Sequence, residues 1–96
     1  MKKALILFCF LLLLSCLDFG KLQLKATLSK NLEEVSGTEV VPNSDFIWMI
    51  NDSGNKPKIF GLSNDGEILK EITVKAKNND WEDLTSDEKG NLYIGD

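Results

Sequence analysis

Four oxygen-rich clusters punctuate the last two-thirds of this 96-residue chain. They are Glu34 ahead of Val35-Ser36, Asn51-Asp52-Ser53-Gly54, Trp81-Glu82-Asp83, and Gly95-Asp96. Carboxylate and amide oxygens are ligands for a hard cation, and Ca²⁺ takes roughly 6–8 of them. A metal held there polarises a carbonyl and activates water. The same residues also suit plainer work. Asn, Asp and Ser bond their own backbone in turns, and Glu82-Asp83 reads equally as a solvated pair or a cap on backbone amides. Other chemistries are excluded. The chain has no His, and its two cysteines are Cys9 and Cys16. A His-based triad and a Cys/His zinc site are therefore ruled out. Ser36 and Ser53 have no His to activate them. All 11 basic residues are Lys, the net charge is -4, and no basic patch for nucleic acid is present.

The elements that must position these clusters read as β throughout. Ser36–Val41, Phe46–Ile50, Lys58–Leu62 and Ile68–Val74 are short runs of β-formers. They are separated by Pro42-Asn43-Ser44-Asp45, Asn51-Asp52-Ser53-Gly54-Asn55 and Asn64-Asp65-Gly66, the last a strong hairpin signal. Ile68, Ile72 and Val74 are expected on one face, and Phe46 and Phe60 in the core. After a loop at Asn78-Asn79-Asp80, further strands begin at Leu84–Ser86 and at Leu92-Tyr93-Ile94, around the turn Glu88-Lys89-Gly90-Asn91. No window shows a helical period. The pattern predicts an all-β fold, a four-stranded antiparallel meander plus the start of a second, after a helical signal peptide.

That signal is read from Met1-Lys2-Lys3 followed by the 11-residue apolar run Ala4–Leu14. The run is too short for a bilayer span of about 20 residues but suits a secretory h-region. Leu13-Leu14-Ser15-Cys16 resembles the lipobox of bacterial lipoproteins. This resemblance implies cleavage after residue 15, lipidation of Cys16, and export to a lipid anchor on the bacterial cell envelope, at the outer membrane or cell surface. Without lipidation, the reading is simple secretion. Residues 17–32 read as a tether carrying Lys21, Lys25 and Lys30 against Asp18. From Glu33 onward 14 carboxylates face 6 lysines, a net of -8, so the charge changes sign at about residue 32. Leu22, Leu24, Ala26 and Leu28 alternate with polar residues, so part of the tether is compatible with a strand.

A repeat runs through residues 33–96. Ile47-Trp48-Met49 aligns with Leu92-Tyr93-Ile94 at an offset of 45, Asn51-Asp52 with Gly95-Asp96 at 44, and Val35–Thr38 with Trp81–Leu84 at 46. Four strands per period of about 45 is propeller spacing. Glu34-Val35-Ser36-Gly37, Trp48 with Asn51-Asp52-Ser53-Gly54, Asp80-Trp81-Glu82-Asp83-Leu84 and Gly90-Asn91-Leu92-Tyr93-Ile94-Gly95-Asp96 resemble the opening of bacterial six-bladed β-propellers of the TolB-like, NHL-like and SdiA-regulated group. The first blade is expected over about 35–77 and the next from about 81. A closed six-bladed ring needs roughly 270 residues, so the chain reads as a truncated N-terminal piece.

Meander topology sends alternate turns to opposite ends of a sheet, so all four oxygen-rich clusters are expected on one rim. The resemblance extends to gluconolactonase-like propellers, which hold a metal at the channel with Glu, Asn and Asp. It implies Glu34, Asn51, Asp52, Glu82, Asp83 and Asp96 as ligands, Ca²⁺ as the candidate cofactor, and Ser36, Ser53 and Trp81 as a binding rim. Trp48 and Tyr93 read as packing residues. The expected function is a lipid-anchored, non-enzymatic binding or scaffold module for a protein, peptide or glycan, without nucleic acid. The alternative is a Ca²⁺-dependent lactonase or phosphoesterase-like hydrolase. A third expectation is that a lone blade of this size is too marginal to have a function of its own.

Overall fold

The computed structural model describes Lys3 and residues 20–96. The rest of the signal segment, Cys16 and the first residues of the tether lie outside them. Among the described residues no helix is long and apolar enough to cross a membrane. Residues 20–96 are all-β apart from one 3₁₀ turn at Lys30–Leu32. Strands β1 (Val35–Val40), β2 (Ile47–Asn51), β3 (Lys58–Leu62) and β4 (Ile68–Thr73) form an antiparallel meander in sequence order. Strands β5 (Asp83–Ser86) and β6 (Leu92–Gly95) form a second, two-stranded sheet. Residues 22–28, in contrast, form no strand. Leu22 and Leu24 are exposed there, while Leu28 packs against the Phe60 cluster.

The tight turns follow local chemistry. Ser63–Glu67 and Asp87–Asn91 close their hairpins in the same way, with glycine amides donating back three residues, Gly66 to Ser63 and Gly90 to Asp87. Both glycines sit at left-handed φ, 82° and 84°, a region open to Gly without steric cost.

Both faces of the four-stranded sheet are covered. On one side Trp48, Ile50 and Ile59 pack with Val41, Trp81 and Leu84, joined by Phe46, Val74, Leu92 and Ile94. On the other, Phe60 and Leu62 pack with Leu32, joined by Leu28, Val35, Ile47, Met49 and Ile68. Two bulges assign residues to these sides. An extra residue in β4 between the pairs Gly61↔Lys70 and Leu62↔Ile68 turns Ile68 over. Ile68 therefore joins the Phe60 side while Val74 joins the Trp48 side, and Ile72 is 44% exposed. The single face expected for these three residues is thus split, since a one-residue slip exchanges faces. Ser36 is the extra residue of the second bulge, between Val35↔Asn51 and Gly37↔Ile50. It puts Val35 on the Phe60 side and Gly37 against β5.

The sequence repeat has a structural counterpart. The pairs Val40↔Ile47, Glu39↔Trp48, Thr38↔Met49 and Gly37↔Ile50 of β1–β2 correspond to Ser86↔Leu92, Thr85↔Tyr93, Leu84↔Ile94 and Asp83↔Gly95 of β5–β6. The offset falls from 46 to 45 because the second hairpin connection is one residue shorter. The second sheet lays its Leu84 and Ile94 face on the Trp48 and Ile50 face of the first. Their counterparts in the first sheet lie on its other side, where Met49 packs with Phe60 and Leu62. The two sheets therefore stack in the same sense, front to back. Trp48 is 9% exposed beneath the second sheet, whereas its counterpart Tyr93 is 53% exposed and donates its hydroxyl to Asp87 Oδ2 at 2.8 Å.

The stacking distance is set at Gly37. A Cβ there would lie 2.9 Å from Leu84 N, 3.0 Å from Ile50 Cγ1 and 3.1 Å from the Asp83 carbonyl carbon. Two of these atoms are backbone and cannot swing away. Gly37→Ala is expected to push the sheets apart and to lower stability by roughly 1–3 kcal/mol, read as a drop in the chemical-denaturation midpoint with the slope unchanged.

Candidate functional site

The β2 strand ends at Asn51, Asp52 follows it, and the β4–β5 connection brings Asn78, Asp80 and Glu82 beside them. Asn78 is the latch. It is 7% exposed, and its Nδ2 donates to the carbonyls of Asn51 at 3.1 Å and Asp52 at 2.9 Å. Its Oδ1 accepts from the Trp81 amide at 3.1 Å. The two Nδ2 bonds tie this connection to the β2 terminus, and the third holds the entry of the next sheet onto Asn78. A second tie is Ser36 Oγ, which donates to the Trp81 carbonyl at 2.6 Å. Asp52 N donates to the Glu34 carbonyl, and Glu82 N to the Gly95 carbonyl, each at 2.9 Å. The four clusters thus share one end of the stack.

Within that end the structure selects a different subset from the six expected ligands. One carboxylate oxygen each from Asp52, Asp80 and Glu82 lies within 4.8 Å of the others. Glu34 is exposed and enters the network through its backbone carbonyl. Asp83 Oδ1 accepts from the next residue's amide at 2.8 Å, and Asp96 Oδ1 from the Asp80 amide at 3.1 Å. Asn51 is 4% exposed and sends its side chain to the other face, where Nδ2 donates to the Asn31 carbonyl at 2.7 Å. That bond settles which amide atom is the nitrogen, and Oδ1 is left without a partner among the described residues. Such an orphan costs roughly 1–3 kcal/mol.

The three residues of the expected binding rim lie in different surroundings. Trp81 is 2% exposed, a core side chain between the sheets. Ser36 is half-buried, with its hydroxyl committed to Trp81. Ser53 is exposed and follows Asp52, whose Oδ1 accepts the Ser53 amide at 2.6 Å. Asp80 had a sequence signal that the ligand set left out: at the 46-residue offset it is the counterpart of Glu34. Asn78 had none, because a single Asn in an Asn-Asn-Asp loop looks like any other turn residue.

No lysine among the described residues pairs with these three carboxylates, and they repel one another. Glu82 shows the consequence, with its pKa raised above the ordinary 4.5 first by hydrogen bonding to Asp80 and then by the charge of Asp52. At the far end of the β5–β6 hairpin the reverse holds. Asp87 is lowered from 3.8 to about 2 by hydrogen bonds from the Asn91 side chain and backbone and from Tyr93. Compared with family models, with curated proteins and with solved structures, the chain matches none.

Asn78→Ala removes the latch and strands the Trp81 amide. We expect a loss of roughly 2–4 kcal/mol, measured by denaturation, with Ser53→Ala close to neutral as the control. For Glu82, a folded pKa above the unfolded value means that the stability linked to its protonation is complete below pH 4.5 and is lost as pH rises through the folded value. A ¹³C carboxyl titration is expected to show its midpoint above 4.5, moving back toward that value in Asp80→Asn.

Proposed function

We propose that this chain is part of a propeller-like, lipid-anchored module of the bacterial cell envelope, with a binding rather than a catalytic role. The observation that carries the reading is the front-to-back stacking of two register-equivalent hairpins. Repeated in one direction, such stacking gathers the same loop of every unit at one end, which is how a repeat protein builds a composite binding surface. Here that end carries Asp52, Asp80 and Glu82. Its partner, a protein, peptide or glycan, meets it through cationic groups or a bridging cation. The lipobox-like Leu13-Leu14-Ser15-Cys16 supports the anchor. Intact mass measurement on the membrane fraction tests it. A chain beginning at an acylated Cys16 is the expected result, and an unmodified mature N-terminus overturns the anchor.

The crowded carboxylates favour a second reading, a Ca²⁺-dependent hydrolase of the lactonase or phosphoesterase type. The triad supplies a cation with three oxygen ligands, and a bound Ca²⁺ would polarise an ester or phosphoester oxygen. Both readings give Ca²⁺ a place. At about ten times its Kd, a ligand adds about 1.4 kcal/mol, a rise of roughly 6–11 °C in the Tm of a domain this small. We expect a rise of that size with Ca²⁺ by differential scanning fluorimetry, absent in Glu82→Gln. Turnover of a chromogenic lactone or phosphodiester that depends on Ca²⁺ and on Glu82 would favour the hydrolase. Stabilisation without turnover would favour the binding module.

A further inference from the structure

A sheet edge presents unpaired backbone groups, and proteins protect such edges with bulges, charges or proline. The first sheet does so at both of its edges. β1 has the bulge at Ser36 and carries Glu39, and β4 has the bulge at Leu69 and carries Lys70 and Glu71. The outer edge of β6 differs from them. Its residues are Leu92, Tyr93, Ile94 and Gly95, with no charge, no proline and no break in register. The phase of its ladder is set where the Asp87 amide donates to the Asn91 carbonyl. Hydrogen-bonded and non-hydrogen-bonded pairs alternate in an antiparallel ladder, so Asn91, Tyr93 and Gly95 turn their backbone toward β5. Leu92 and Ile94 turn theirs outward, to a side where no strand among the described residues pairs with them.

The face beneath that edge is also incompletely covered. The second sheet has two strands and the first has four. β5 lies against β1 at Gly37, and Trp48 of β2 is buried. Farther across, on β4, Ile72 is 44% exposed, although its register partner Ile59 belongs to the core between the sheets. Phe46 and Val74 are half-buried on the same side. A strand added beyond β6 extends the second sheet over this apolar shelf.

The equal register of the two hairpins specifies the pattern of that strand. Leu92, Tyr93 and Ile94 correspond to Ile47, Trp48 and Met49 of β2, which pair with Leu62, Gly61 and Phe60 of β3. We propose that the β6 edge and the shelf beside it bind an extended segment of another polypeptide, antiparallel to β6 and patterned like β3. Large apolar residues lie opposite Leu92 and Ile94, with a glycine opposite Tyr93. Directly opposed residues share a face, so the two apolar side chains point down onto the first sheet, as Ile94 does. The glycine leaves room for the Tyr93 ring, just as in the first sheet a Cβ on Gly61 would lie 3.0 Å from Trp48 Cζ3. β3 itself is enclosed between β2 and β4, so a second copy of the chain cannot lend it. The inference requires neither the lipid anchor nor the carboxylate end.

The test is an NMR titration of the full ¹⁵N-labelled chain with a synthetic peptide copying residues 56–64, Lys-Pro-Lys-Ile-Phe-Gly-Leu-Ser-Asn. We expect saturable shifts at Leu92 and Ile94, and at saturation hydrogen exchange of their amides slowed by about tenfold or more. The same peptide carrying Gly61→Val should bind about tenfold or more weakly. In the protein, Ile72→Thr keeps a β-branched residue at an exposed position, so its Tm should hold while affinity for the peptide falls by roughly threefold to tenfold. Absence of saturable shifts, shifts centred on β1 or β4, equal binding of the valine peptide, or unchanged affinity in Ile72→Thr would each overturn the proposal. So would protection of Leu92 and Ile94 in the free chain that grows with protein concentration, since that result assigns the edge to a second copy.

Discussion

Everything at the functional end depends on the close approach of β1 and β5 at Gly37. With no side chain at that position, the backbone of Asp83 and Leu84 lies directly on the first sheet. The approach brings Trp81 and Leu84 into the core with Trp48 and Ile50. It also brings the Trp81 carbonyl within reach of Ser36 and its amide within reach of Asn78. A buried amide or carbonyl needs a partner, so these bonds make the spacing specific as well as close. Asp80 and Glu82 reach Asp52 because the backbone beneath them is tied down.

The same arrangement explains how an acidic domain presents two ends of different charge on either side of one dipeptide. Asn51 and Asp52 leave β2 in alternate directions. On the Asp52 side, like charges accumulate and raise the pKa of Glu82. On the Asn51 side, Lys30, Lys56 and Lys58 collect around a buried amide. The two neighbourhoods are separated by the covered sheet, which limits solvent screening between them to the rim. A net charge of -4 for the chain therefore hides a local excess of positive charge.

Much of the fold was legible in the residues. All six strands were expected within a residue of their observed bounds, because each is a short run of β-formers closed by Gly, Asn, Asp or Pro at positions with definite turn chemistry. The repeat offset was legible too, and the equal register of the two hairpins is its physical meaning. What was misread has specific causes. Ile68 and Val74 share an alternation, yet the bulge at Leu69 sends them to opposite faces. Trp81, read from its place ahead of a strand as part of a binding rim, is packed between the two stacked sheets. Of the six expected ligands, Asp52 and Glu82 converge and Asp80 takes the third place. Whether an acid turns outward, caps an amide or meets another acid is settled by the chain packed beside it.

The amino-acid sequence by itself determined the β character, the strand boundaries, the turn positions, the repeat and the absence of His chemistry. These rest on local propensity, periodicity and composition, which need no partner across space. Only the tertiary structure decided which faces are buried, which oxygens meet, that Asn78 is the latch, and that Asn51 is left with an orphaned acceptor. Each of these depends on contacts between residues 20 to 47 positions apart, made when two sheets stack at a distance that a glycine permits.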